Sequence, residues 1–106
     1  MTDYKPPKEG PYEEFFENGQ VEIRGNYKDG QKDGLHEEFH ENGQLVVREN
    51  YKGAKLDGFY EMFYENGQLK EIENFKNGEQ DGLWEYFDEE GNLTETQEWK
   101  DGELIE

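Results

Sequence analysis

Residues 10–33 read GPYEEFFENGQVEIRGNYKDGQKD, and the same 24-residue pattern returns three times. It recurs as GLHEEFHENGQLVVRENYKGAKLD at 34–57, GFYEMFYENGQLKEIENFKNGEQD at 58–81 and GLWEYFDEEGNLTETQEWKDGELI at 82–105. Glu-Asn-Gly-Gln begins at Glu17, Glu41 and Glu65, and Glu-Glu-Gly-Asn begins at Glu89, each a step of 24. A period of this size marks a tandem array in which each unit covers the edge of its neighbour.

Within a unit lie two short extended runs, for example Leu35 to His40 and Gln44 to Tyr51. Both alternate with period 2 and are bounded by glycine, and neither is long enough for a stable helix. Glu-Asn-Gly joins them, and Lys-Asp-Gly or a near variant follows the second. The fold expected is all-β: four tandem 24-residue β-hairpin repeats forming an elongated, twisted, antiparallel single-layer sheet of eight strands. The repeat domain spans 10–106, with units 10–33, 34–57, 58–81 and 82–105. Residues 1–9 form an N-terminal lead-in whose segment 4–9 resembles the end of a unit, a half-repeat cap.

Turn chemistry selects the hairpin loop. A two-residue type I′ turn demands positive φ at both central residues, which Glu90 in the fourth unit resists. A three-residue loop, type I followed by a left-handed glycine and a bulge, asks positive φ of the glycine alone, and all four units satisfy it. Lys52-Gly53-Ala54 shifts the glycine of the second connection, so a different shape is expected there.

In that register one face collects Phe15, Phe39, Phe63 and Phe87, then Val21, Leu45, Leu69 and Leu93. Tyr27, Tyr51, Phe75 and Trp99 join them, with Pro11, Leu35, Phe59 and Leu83. This is the expected core face. The column Glu13, Glu37, Glu61 and Glu85 falls among them and needs partners, which Lys28, Lys52, Lys76 and Lys100 could supply at equal spacing.

Acidic residues number 28 against 11 basic, a net charge of −17. Such a surface repels nucleic-acid phosphates and anionic lipid headgroups and steers basic proteins towards it. Disorder is disfavoured by the 15% of aromatic residues, which recur at fixed spacing. There is no cysteine and no serine, and the threonines are Thr2, Thr94 and Thr96. No disulfide, thiolate metal site, phosphate loop, zinc motif or triad can be read. The reading is not an enzyme, with no catalytic residue, metal or cofactor. The opening Met-Thr-Asp-Tyr-Lys-Pro-Pro-Lys-Glu carries no apolar stretch, and no later segment reaches the length of a membrane helix. The location expected is cytoplasmic.

The pattern Gly-Leu-Trp/Tyr-Glu-x-Phe/Tyr-x-Glu-Asn-Gly-Gln-Leu…Tyr-Lys-Asp-Gly-x-x-Asp-Gly resembles the MORN-repeat variant of bacterial proteins, many of them grouped as a YwqK-like antitoxin family. The resemblance covers residues 10–105. It implies stacked hairpins in one sheet, and a protein-binding scaffold of antitoxin or immunity type. MORN repeats also occur as scaffolds attached to kinases and methyltransferases.

The face opposite the expected core carries Tyr12, Phe16, His36, His40, Tyr60, Met62, Tyr64, Trp84 and Tyr86, with Glu14 and Glu38. Polar Gln20, Arg24, Asn26, Gln44, Arg48, Gln68 and Asn74 are assigned to the same face. Mixed aromatic and polar surfaces bind proteins, so Tyr12, Phe16, Tyr60, Tyr64, Trp84 and Tyr86 are the candidate partner-binding residues. Aromatic pairs that merely stabilise the sheet are the competing reading. His36 and His40 stand about 13 Å apart on a strand at about 3.3 Å per residue, so they replace aromatics and do not chelate one ion. The partner expected is a basic protein. A structural, self-assembling spacer is the alternative, with a homodimer as one way to cover the apolar face.

Overall fold

The computed structural model describes residues 9–105. All of the proposed lead-in except Glu9 therefore lies outside the described residues, as does Glu106. The chain forms one antiparallel sheet, 44 × 34 × 17 Å. Its strands are β1 (Gly10–Phe15), β2 (Val21–Lys28), β3 (Gln31–Lys32), β4 (Gly34–Phe39), β5 (Leu45–Lys52), β6 (Lys55–Phe63), β7 (Leu69–Lys76), β8 (Glu79–Gln80), β9 (Gly82–Phe87), β10 (Leu93–Lys100) and β11 (Glu103–Leu104). They lie in the order β1-β2-β4-β5-β6-β7-β9-β10-β11, with β3 on β2 and β8 on β7. The eight expected strands are present. The two-residue strands arise because the chain pairs once more after each connecting turn before moving to the next unit, and in β6 the two pieces are continuous. The described residues contain no helix long and apolar enough to cross a membrane.

The hairpin loops are the three-residue form expected. In the first, Gly19 N–H donates to Phe16 O at 3.0 Å and Phe16 N–H to Gln20 O at 2.8 Å. Gly19 has φ +90° and Gly91 has φ +93°, while Glu90 stays out of the left-handed region. Asn18, Asn42 and Asn66 each accept a bond from the backbone N–H two residues on, and Asp88 takes over that role in the fourth unit.

The turns that follow the second strands are two-residue turns with positive φ at both centres: Asp29-Gly30, Asn77-Gly78 and Asp101-Gly102. The Gly53-Ala54 connection was expected to differ. It closes the same turn, with Lys52 paired to Lys55, and Ala54 is held at φ +69°. A left-handed alanine costs about 1–2 kcal/mol, which the surrounding ladder offsets. Each later turn bonds to the unit before it, from Ala54 N–H to Lys32 O, Gly78 N–H to Leu56 O and Gly102 N–H to Gln80 O. Glu9 accepts from Asp29 N–H as Asp57 does from Asn77 and Asp81 from Asp101. It thus fills the place of the residue that ends a unit.

The expected core face is corrected in two respects, which second-strand residues it holds and that it is not the buried face. Phe15 pairs with Val21, but Glu14 pairs with Ile23, so Glu22 is an extra residue. Val46, Lys70 and Thr94 are its counterparts. This second bulge reverses the alternation for the rest of the second strand. Tyr27, Tyr51, Phe75 and Trp99 therefore share a face with Tyr12, His36, Tyr60 and Trp84. Arg24, Asn26, Arg48 and Asn74 move to the face of the glutamate column. We call the first the aromatic face and the second the ionic face. The buried side chains Tyr27, His36, Val47 and Trp84 all lie on the aromatic face. On the ionic face Phe15, Leu35, Leu83 and Leu93 are exposed.

Candidate functional site

The aromatic face is built around a column of rings in two runs, one over the first two units and one over the last two, each alternating between first and second strands. Ring centroids lie 6.1 Å apart for Tyr12–Tyr27, 5.6 Å for Tyr27–His36 and 5.4 Å for His36–Tyr51. They lie 6.5 Å apart for Tyr60–Phe75, 5.4 Å for Phe75–Trp84 and 5.1 Å for Trp84–Trp99. The pairs from Tyr12 to Tyr51 meet edge to face, an arrangement that adds about 0.5–1.5 kcal/mol per pair beyond area burial. His36 stands in the column as an aromatic, as its spacing implied. Its Nε2 lies 2.8 Å from Asn26 O, and Trp84 Nε1 donates to Asn74 O at 3.0 Å. The two rings occupy the same position two units apart, and each sets a ring nitrogen beside the same backbone carbonyl.

Carboxylates line this column. Register places Glu14, Glu38, Glu49, Glu71, Glu73 and Glu95 on the same face. Tyrosine hydroxyls donate to them: Tyr12 to Glu14 at 3.2 Å, Tyr51 to Glu49 at 3.1 Å and Tyr86 to Glu73 at 3.0 Å. Burial raises Glu49 above the ordinary carboxylate range, against the opposing pull of the Tyr51 hydroxyl and the Lys32 charge. Glu73 is pushed up to about 7, first by burial and then by a hydrogen bond and like charge shared with Glu71. Burial and the neighbouring glutamates also raise the hydroxyls of Tyr51, Tyr60 and Tyr86. A second charge brought close to these acids would draw their protons off or hold them on, according to its sign.

Between the first two units the face opens into a cleft of about 400 Å³ lined by Ile23, Tyr27, Lys32, His36, Glu37, Glu38 and Glu49. The Lys32 ammonium rides 5.0 Å above the Tyr51 ring, so this wall already holds a cation. Among the described residues no three acidic or histidine side chains converge as metal ligands.

The candidate binding residues are distributed as follows. Tyr12, Tyr60, Trp84 and Tyr86 share the aromatic face, spread from β1 to β9. Trp84 is 8% exposed and inside the column, so it supports the face from below. Tyr64 sits beyond the column, its hydroxyl donating to Phe87 O at 2.7 Å with the Lys70 ammonium 5.7 Å over its ring. Phe16 closes the first hairpin loop through its backbone. Sequence reasoning missed Glu49, Glu71 and Glu73, because the extra residue in each second strand hid which face they take. A signal was available: setting Arg24 opposite Glu13 would have forced the same shift.

On the other face the expected glutamate–lysine pairing is replaced. Arg24 Nε lies 2.9 Å from Glu13, and Arg48 Nη2 lies 3.2 Å from Glu61. Lys28, Lys52, Lys76 and Lys100 are exposed at the strand ends. The guanidiniums also cover Phe39 and Phe59 at 5.9 and 5.5 Å.

Residues 8–29, 32–52, 56–77 and 80–101 match the MORN repeat variant family. No curated protein matches the chain in sequence.

Proposed function

The chain belongs to the MORN repeat variant family, and from that premise we propose that it is a non-enzymatic scaffold that binds a basic protein on its aromatic face. One observation carries this reading. Glu14, Glu38, Glu49, Glu71, Glu73 and Glu95 share that face with the ring column. The lysines beside them, Lys32 and Lys70, are each laid over a tyrosine ring. A cationic side chain arriving there meets carboxylates, of which Glu49 and Glu73 are already partly stripped of water, and rings whose faces attract it. The net charge of −17 steers it from a distance. Tyr12, Tyr60 and Tyr86 supply the contact area, Tyr64 and Phe16 its margin, and Trp84 the rigid base.

The finer form of the proposal is an antitoxin or immunity role in the cytoplasm, in which the partner is a toxin whose working surface the sheet covers. Its support is the resemblance of the repeat to the YwqK-like antitoxin family.

The test is capture from native extract by the wild-type chain and by a Glu38→Gln, Glu49→Gln, Glu71→Gln, Glu73→Gln variant. The expected result is a basic protein held in stoichiometric amount by the wild type, released by high salt and not held by the variant. Equal capture by both chains would sink the proposed surface. Growth arrest by the captured protein, relieved on co-expression with this chain, is the outcome expected of the antitoxin form.

A further inference from the structure

We propose that two copies of this chain pair through their ionic faces, with unit order reversed, to form a two-layer sandwich. The proposal concerns the face opposite the partner surface and does not depend on it.

The inference starts from one row of residues. Cross-strand register links Glu13, Arg24, Glu37, Arg48, Glu61, Ile72, Glu85 and Thr96 in a line across all eight long strands. Arginine occurs only in the first half of this line. In the second half Ile72 and Thr96 replace it, so Glu85 stands between two uncharged neighbours.

Two sheets can stack face to face about a twofold axis along the strands or across them. An axis along the strands keeps each row over itself and reverses the order of units. Arg24 then meets the second copy's Glu85, and Arg48 meets its Glu61. Glu13 meets Thr96 and Glu37 meets Ile72, and no like charges oppose. An axis across the strands keeps the unit order, so Arg24 faces Arg24, Arg48 faces Arg48 and each glutamate faces itself. The charge line is thus self-complementary in one orientation and self-repelling in the other, as an isologous contact requires.

Apolar residues on both sides of this line supply the adhesion. On the hairpin-loop side run Phe15–Val21, Phe39–Leu45, Phe63–Leu69 and Phe87–Leu93, and on the other Pro11, Leu35, Phe59 and Leu83 alternate with Asn26, Asn50, Asn74 and Glu98, so the hairpin-loop row carries most of the apolar contact. Phe15 and Leu93 are 54% and 52% exposed, at opposite ends of the sheet. The reversed stacking sets each over the other. An apolar stripe left open on a single layer marks a contact surface, and aligned packing of two sheets is its usual cover. The 44 × 34 Å outline offers a face well above the roughly 800 Å² per partner of a stable interface.

Sedimentation equilibrium across a range of protein concentration tests this, at moderate salt so that the like net charge of the copies is screened. The expected mass is twice 12.6 kDa. Arg24→Glu should move the dimer–monomer midpoint to at least about tenfold higher concentration. Arg24→Glu with Glu85→Arg should restore it, because the pair is rebuilt across the twofold. Leu93→Asp, at a site 52% exposed in the single sheet, should also dissociate the dimer. A wild type that stays at 12.6 kDa overturns the proposal. A dimer that persists unchanged in both Arg24→Glu and Leu93→Asp overturns it as well, since the contact then lies elsewhere.

Discussion

The junction between the first and second units and that between the third and fourth share a backbone geometry but are filled differently. At the first, the His36 ring leans over Gly25, where an added Cβ would fall 2.2 Å from the ring. At the last, Trp84 performs the same carbonyl bond, and the position equivalent to Gly25 is Glu73. The smaller ring needs bare backbone beneath it and leaves a cleft beside Glu38 and Glu49. The larger ring covers more on its own, and its neighbouring glutamate is crowded against Glu71 and holds a proton near neutrality. What recurs between units is a role, a ring nitrogen meeting a carbonyl ten residues back. The side chain that performs it decides whether the face is open or closed there.

The sharpest test of that difference is removal of each ring. Trp84→Ala deletes a buried indole in contact with Phe75 and Trp99 and should cost about 3–5 kcal/mol in urea unfolding. His36→Ala should cost less, since the imidazole is smaller than the indole and buries less area. Equal losses would show that the two junctions are energetically alike. Next in size is Gly25→Ala, whose new methyl must expel the His36 ring, at about 1–3 kcal/mol. In a His36→Ala background the same change should cost almost nothing. A penalty that persists there would place the constraint in the backbone and not in the ring.

The smallest effect expected is in pH dependence. Glu73 has its pKa raised in the folded chain, so its protonated form favours folding. That stabilisation is complete below the ordinary glutamate range and is lost as pH rises through about 7. Glu73→Gln should flatten the decline in stability between about pH 5 and about pH 8, measured by urea midpoints. An unchanged slope would move the decline to Glu49, which burial shifts in the same direction, or to the general repulsion of the acidic chain.

The hairpins were legible because their signals are local. Glu-Asn-Gly and Lys-Asp-Gly specify turns through the φ values that glycine and asparagine tolerate, and a three-residue loop was the form that Glu90 could enter. Ala54 shows the limit of such reasoning. Its neighbours' ladder holds it in the turn that its own preference opposes. The site was half legible. Tyr12, Tyr60, Trp84 and Tyr86 do share a face. Their column mates Tyr27, Tyr51, Phe75 and Trp99 were assigned to the other face, and Arg24 and Arg48 were separated from the glutamates they meet.

By itself the sequence determined the period, the number of long strands, the loop type and the excess of negative charge, because each depends on neighbouring residues or on composition. Which face each second strand presents was decided by the tertiary structure. A single extra residue sets it, and that residue is Glu22, Val46, Lys70 or Thr94 in successive units, so no shared side chain announces it. The bulge exists because it brings two strands' rings together and arginine opposite glutamate. Those contacts form only when strands separated in sequence are laid side by side.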